Sequence, residues 1–232
     1  DYDFLVLGGG SGGVRAARIA AGLGARVALV EADRLGGTCV NVGCVPKKLF
    51  VYGASFADAF ADARGFGWTV PEPTLDWDRL RDRKDEEILR LNGIYDRLLQ
   101  DAGVTVIRGW GRLTGPHAVH VSGVSGVRCV RCVSGVSGVS GVSGVTHTAA
   151  HILIATGGRP VRPAVPGAEL GVVSDDLFTL PQLPRRAVIV GGGYIGVEFA
   201  GILSGLGVQV TLSTRDTLPL RGFDRDVRVA LA

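Results

Sequence analysis

Two cysteines five positions apart, Cys39 and Cys44, stand in the run Gly36-Gly37-Thr38-Cys39-Val40-Asn41-Val42-Gly43-Cys44-Val45-Pro46-Lys47-Lys48. On a regular helix such residues are about 7.5 Å apart along the axis and about 140° apart around it. A disulfide needs Cα atoms roughly 4.4–6.8 Å apart, so joining this pair requires a distorted turn. Gly36, Gly37 and Gly43 supply backbone freedom for one, and Pro46 is tolerated near a helix start but not deep inside a helix. With two lysines alongside, the pair reads as a dithiol that cycles rather than a structural staple. The plainer alternative, two buried thiols behaving as small apolar residues, leaves the glycines and lysines without a reason.

A redox pair needs an electron carrier, and the chain holds two glycine-rich turns suited to nucleotides. An apolar strand at residues 4–7 leads into Gly8-Gly9-Gly10-Ser11-Gly12-Gly13, a helical run at 14–23 and a second apolar strand at 25–30 that ends on Glu31. In this fingerprint Gly8 permits the tight turn and Gly10 lets the backbone approach a pyrophosphate. Gly13 allows close helix packing, and Glu31 accepts from a ribose hydroxyl. The pattern recurs: a strand at 187–190, Gly191, Gly193 and Gly196, a helix at 194–206 and a strand at 208–212. Two such units predict two bound nucleotides. The second ends Ser213-Thr214-Arg215 without an acid, and arginine forks such as Arg215 and Arg221 suit a phosphate.

Between the fingerprints, residues 49–63 read as helical, 65–68 as a turn, 79–102 as a long helix and 104–107 as a strand. Lys84, Asp85, Glu86 and Glu87 are expected on the solvated face of the long helix. Residues 122–145 are eight triplets, six Ser-Gly-Val and two Arg-Cys-Val. Valine at every third position fits neither a strand nor a helix face, and the expectation is a flexible excursion from a hairpin tip. Cys129-Val130-Arg131-Cys132 within it has no second CxxC and no suitably spaced histidine pair, since His117, His120, His147 and His151 are scattered. No metal is expected.

The chain has 232 residues, 46% hydrophobic and 20% charged, with net charge +3, as in a soluble globular protein. Its basic residues form no run or aromatic-interleaved stripe, so nucleic acid is not an expected partner. The start lacks the features of a signal peptide. The mainly apolar stretch 187–212 contains Glu198 and three consecutive glycines, which argues for strand, turn and helix over a membrane span. Met is absent even from position 1, which suggests a fragment or a processed form and leaves room for a lost transit peptide.

The cysteine run resembles the active-site stretch of flavin-dependent pyridine nucleotide–disulfide oxidoreductases, especially the glutathione reductases. The resemblance covers nearly the whole chain outside 122–145. It implies an α/β protein: an FAD/NAD(P)-binding Rossmann-like three-layer domain with a β-hairpin excursion at residues 1–158, and the first part of an NADP-binding domain at 159–232. For FAD it implies Gly8, Gly10, Ser11, Gly12, Gly13, Glu31, Gly37, Thr38, Cys39, Lys47 and Gly111, with Thr156 and Gly157 in an ATGxxP-like close. For NADPH it implies Gly191, Gly192, Gly193, Tyr194, Ile195, Gly196, Glu198, Arg215 and Arg221. Ser11, Arg18 and Tyr95 match positions that hold glutathione disulfide. Trypanothione-type relatives place an aromatic residue where Arg18 stands, so Arg18 favours glutathione.

By the same resemblance, NADPH and the Cys39–Cys44 disulfide lie on opposite faces of the flavin. Cys44 is the flavin-side thiolate, and Cys39 attacks glutathione disulfide. Lys47 sits against the flavin and pairs with Glu198, while Tyr194 covers the empty nicotinamide pocket. The family is longer than this chain and carries its proton-donating His–Glu pair in an interface domain. The expectation is therefore an intact, cytoplasmic homodimeric enzyme, of which this fragment alone is inactive. Rival readings are a dihydrolipoamide dehydrogenase or mercuric reductase relative, or a flavin-binding module that catalyses nothing.

Overall fold

A computed structural model describes residues 1–123 and 144–232; Cys129, Cys132 and the inner part of the repeat lie outside the described residues. In chain order the elements are β1 (Tyr2–Leu7), α1 (Ser11–Gly22), β2 (Val27–Glu31), α2 (Gly37–Val42), α3 (Cys44–Gly65), α4 (Trp77–Asp101), β3 (Thr105–Arg108), β4 (Trp110–Gly115), β5 (Ala118–Ser122), β6 (Val145–Ile154), α5 (Ser174–Leu177), β7 (Arg186–Val190), α6 (Tyr194–Gly205), β8 (Gln209–Ser213) and α7 (Arg225–Leu231). They form two compact units, residues 1–46 with 85–171 and residues 47–84 with 172–232.

The first unit holds a sheet of order β3-β2-β1-β6-β5-β4. β3, β2, β1 and β6 run parallel, whereas β6, β5 and β4 pair antiparallel. Val6, Val27 and Leu29 pack on one side with Val14 and Ala17 of α1 and Leu99 of α4. Leu5, Leu7, Ala28 and Val30 pack on the other with Val119, Val121 and Ala149. Covered on both faces, the parallel strands need apolar residues at every position, which is why 4–7 and 25–30 read as continuous runs. β6 serves two partners: residues 145–148 pair with β5, and from Ala149 onward it runs beside β1.

The second unit is built on the parallel pair β7–β8 and helix α6. Its core is aromatic: Phe50 lies 5.1 Å from Trp77 and 5.7 Å from Phe178, which meets Phe199 edge-on at 5.5 Å. The Trp77 indole donates to Leu180 O at 2.9 Å. A Cβ on Gly205 would stand 2.9 Å from Ala54 Cβ, so α6 and α3 pack backbone to backbone there. The stretch 187–212 resolves into strand, turn, helix and strand, and no helix among the described residues is long and apolar enough to cross a membrane.

Two expectations need correction. Helix α1 begins at Ser11, not at 14, because Gly10 caps it in extended backbone and glycines 12 and 13 take up its first turn. Lys84 is 3% exposed rather than on a solvated face. Its ammonium donates to Phe178 O at 2.8 Å and lies 5.7 Å from the Phe50 ring centroid. A buried charge needs such partners, and these come from segments distant in sequence.

Candidate active site

The distorted turn expected around the cysteines is present. Helix α2 opens on Gly36 and Gly37, both left-handed with φ of 97° and 59°, and stops at Gly43, whose backbone is not helical. Helix α3 restarts at Cys44. A Cβ on Gly43 would stand 2.8 Å from Thr38 O and 3.3 Å from Cys39 Cα, so the break folds the residue before Cys44 onto the backbone of Cys39. Cys39 is half-buried and Cys44 exposed. Pro46, buried in the first turn of α3, lies where a missing N–H is harmless.

This turn abuts the first glycine loop. Gly36 N–H donates to Gly9 O at 2.8 Å, and a Cβ on Gly37 would stand 2.6 Å from Gly10 Cα. Gly8 has φ of 107°, and a Cβ there would strike Ala155 O and meet Thr156 Cα at 3.2 Å, which brings Thr156 and Gly157 to the same loop. A Cβ on Gly13 would collide with Gly8 O. The helix start has no side-chain cap, which leaves first-turn N–H groups, among them those of Ser11, Gly12 and Gly13, without a capping side chain and able to bind an anion. The Glu31 carboxylate accepts from Gly9 N–H at 2.6 Å and Asp33 N–H at 2.7 Å, and its oxygens retain acceptor capacity for a ribose hydroxyl.

Ser11 and Arg18 are exposed on α1 seven residues apart, hence on one face. Tyr95 is half-buried on α4 against the core. Gly111 has a packing role: a Cβ there would meet Leu7 Cδ2 at 2.5 Å and Val30 Cγ1 at 3.2 Å, so its bareness lets β4 lie over β1 and β2.

In the second unit Lys47 Nζ stands 2.6 Å from Glu198 Oε1. Each lies seven residues before the Ala54–Gly205 contact, so α3 and α6 run in the same direction and meet twice, two turns apart. The second glycine turn repeats the first: Gly191 has φ of 117°, and a Cβ on Gly196 would strike Gly191 O. Gly193 caps α6, followed by exposed Tyr194 and Ile195. Gly192 makes room for Thr214 and Pro219, and Leu220 N–H donates to its carbonyl at 2.6 Å. The loop bearing exposed Arg215 and Arg221 is thereby held against the glycine turn. Arg228, which sequence reasoning missed, donates to Pro219 O at 2.7 Å and Leu218 O at 2.9 Å and braces that loop. Among the described residues no His, Cys, Asp and Glu cluster could hold a metal.

The family described as Pyridine nucleotide-disulphide oxidoreductase matches residues 2–232. The chain belongs to this family. Glutathione reductase of Burkholderia cepacia is 49% identical over 228 residues, 98% of this chain and 46% of that protein. Glutathione reductase of Nostoc sp. is 45% identical over 231 residues, 100% of this chain and 46% of the relative. The chloroplastic/mitochondrial glutathione reductase of Pisum sativum is 41% identical, with 97% of this chain and 39% of the relative aligned. The chain thus spans about half the length of these relatives. Its mixed α/β, mainly parallel architecture agrees with a Rossmann-like FAD/NAD(P)-binding fold.

Proposed function

We propose that this chain is the nucleotide-binding part of a cytoplasmic, homodimeric, NADPH-dependent flavoprotein that reduces glutathione disulfide. Residues 1–158 form the FAD-binding domain, and 159–232 begin the NADP-binding domain. The observation that carries the reading is the helix break at Gly43, which folds the approach to Cys44 onto Cys39 beside a glycine loop.

The first glycine loop fits a dinucleotide, because Gly8 and Gly13 meet backbone so closely that neither has space for a side chain. The N–H groups at the start of α1 take the FAD pyrophosphate, Glu31 takes a ribose hydroxyl, and Thr38, Thr156 and Gly157 border the nucleotide. Lys47, paired with Glu198, belongs at the flavin ring. The second loop, with Gly191, Gly193 and Gly196, takes NADPH, whose 2′-phosphate is held by Arg215 and Arg221, and Tyr194 guards the nicotinamide position. A bound flavin supplies two-electron transfer from NADPH to the cysteine pair. The reduced pair then acts through its own sulfurs. The Cys39 thiolate attacks one sulfur of glutathione disulfide, forming a mixed disulfide and releasing one glutathione thiolate. Attack by Cys44 on the Cys39 sulfur releases the second and leaves the Cys39–Cys44 disulfide. Arg18 offers a cationic fork to a glutathione carboxylate, and Ser11 and Tyr95 complete the substrate contacts.

The test is an assay of the protein encoded by the complete reading frame. The expected result is flavin-dependent consumption of NADPH with glutathione disulfide, much slower with NADH, lipoamide or mercuric ion. Equal turnover with lipoamide, or bound flavin that NADPH does not bleach, would overturn the proposal.

A further inference from the structure

Asn41 lies between the two cysteines on α2 and is only 8% exposed. Its Nδ2 stands 2.9 Å from Gly37 O, 3.2 Å from Leu35 O and 3.4 Å from Arg34 O. Three carbonyl neighbours admit only the amide's NH2 end, so its oxygen faces the other way. That oxygen accepts from Asn92 Nδ2 at 2.9 Å, and the same Asn92 nitrogen donates to Leu35 O at 2.8 Å. Two side-chain amides therefore tie together the loop after Glu31, the helix bearing Cys39, and α4, where Tyr95 stands one turn beyond Asn92.

Helix α2 has six residues. A helix that short is marginal by itself, and asparagine is a poor choice inside one. Burying an amide there is tolerable only because its hydrogen bonds are made. These facts point past packing to position, since the clasp is what holds Cys39 in place while Gly43 lets the chain turn back toward Cys44.

We infer that the Asn41–Asn92 amide clasp is a positioning device that sets the dithiol–disulfide equilibrium of Cys39 and Cys44. The inference rests on the redox reading above. The equilibrium is the exchange of the two thiols with glutathione disulfide, which gives one intramolecular disulfide and two glutathione molecules. Its constant follows the effective concentration of one sulfur at the other, and effective concentration depends on how tightly the turn is held. Loosening α2 lowers the constant by about tenfold, equivalent to about 30 mV for a two-electron couple.

The experiment equilibrates the full-length, flavin-loaded protein with glutathione redox buffers, traps thiols by alkylation, and reads the Cys39–Cys44 peptide by mass spectrometry. N41A, N92A and N41D, which keeps the shape and the acceptor but loses the donors, are each expected to lower the oxidation constant about tenfold. The N41A/N92A double variant should shift little further, because the two residues share one link. N92A alters one position of the 25-residue helix α4 toward a better helix former, so it reports even if N41A fails to fold. Val14→Ala, a core truncation in the same unit, should lower the melting temperature and leave the constant unchanged. If wild type forms no reversible Cys39–Cys44 disulfide, the redox reading itself falls. If wild type titrates and the asparagine variants titrate identically, with or without a lower melting temperature, the clasp inference is overturned.

Discussion

Sulfur at positions 39 and 44 is what the proposed chemistry cannot lack. In the full-length protein C39S and C44S should each reduce glutathione-disulfide turnover by roughly a thousandfold or more, read as NADPH consumption, while the bound flavin spectrum persists. Arg221→Ala should raise the KM for NADPH by about tenfold and leave that for NADH nearly unchanged, because a guanidinium fork discriminates only where a phosphate is present. The Lys47–Glu198 pair is partly exposed, with side-chain exposures of 28% and 36%, so a double-mutant cycle in urea should give a coupling of about 1 kcal/mol. The cysteines and the acid inside an apolar helix were legible in the sequence because they stand out by type, whereas the roles of Lys47 and Arg221 came from the family resemblance. The burial of Lys84 was not legible. Its neighbours in sequence are charged, and what buries it is a carbonyl 94 positions away.

Helices and turns carry a second set of consequences. Gly37→Ala would place a methyl 2.6 Å from Gly10 Cα in a left-handed backbone position, which should destabilise the first unit by about 2 kcal/mol, measured by chemical denaturation. Arg228→Ala should leave the second unit folded but weaken NADPH affinity severalfold, since loop residues Leu218 and Pro219 lose their brace. Near the N-terminal end of β1, Asp3 accepts from the Arg26 backbone at 2.7 Å and from its side chain. The guanidinium hydrogen bond, followed by the backbone one, holds the Asp3 carboxyl below the usual carboxylate range. Its stabilising contribution is thus complete above the unfolded-state value and lost as pH falls through the lower folded one. The stability difference between wild type and D3N should accordingly shrink in acid. The α1 start shows the limit of local reading: glycines are poor helix formers, yet 12 and 13 lie in the helix, and position 13 must be glycine because Gly8 O lies where a Cβ would be.

For the whole chain, the α/β class was readable from continuous apolar runs and glycine turns, but the partnership of 47–84 with 172–232 was not. It depends on Phe50, Trp77, Phe178 and Phe199, which are separated by up to about 150 positions and share no periodicity. Register makes one prediction about the repeat. Val121 pairs with Val145, so joining Gly123 directly to Gly144 would leave the three-residue loop Ser122-Gly123-Gly144, with glycine available for a left-handed position. That deletion should preserve the fold and raise stability by up to about 2 kcal/mol from chain closure, seen as an unchanged or higher melting temperature.

The two-sided pairing of β6 also has a consequence for synthesis. β1 leaves a ribosome well before β6, since Tyr2 finds its β6 partner only at Ala149. At roughly 5–20 residues per second, the apolar strand 2–7 therefore waits on the order of ten seconds with one flank open, and whatever slows translation of the repeat prolongs its exposure to chaperones and to other nascent chains.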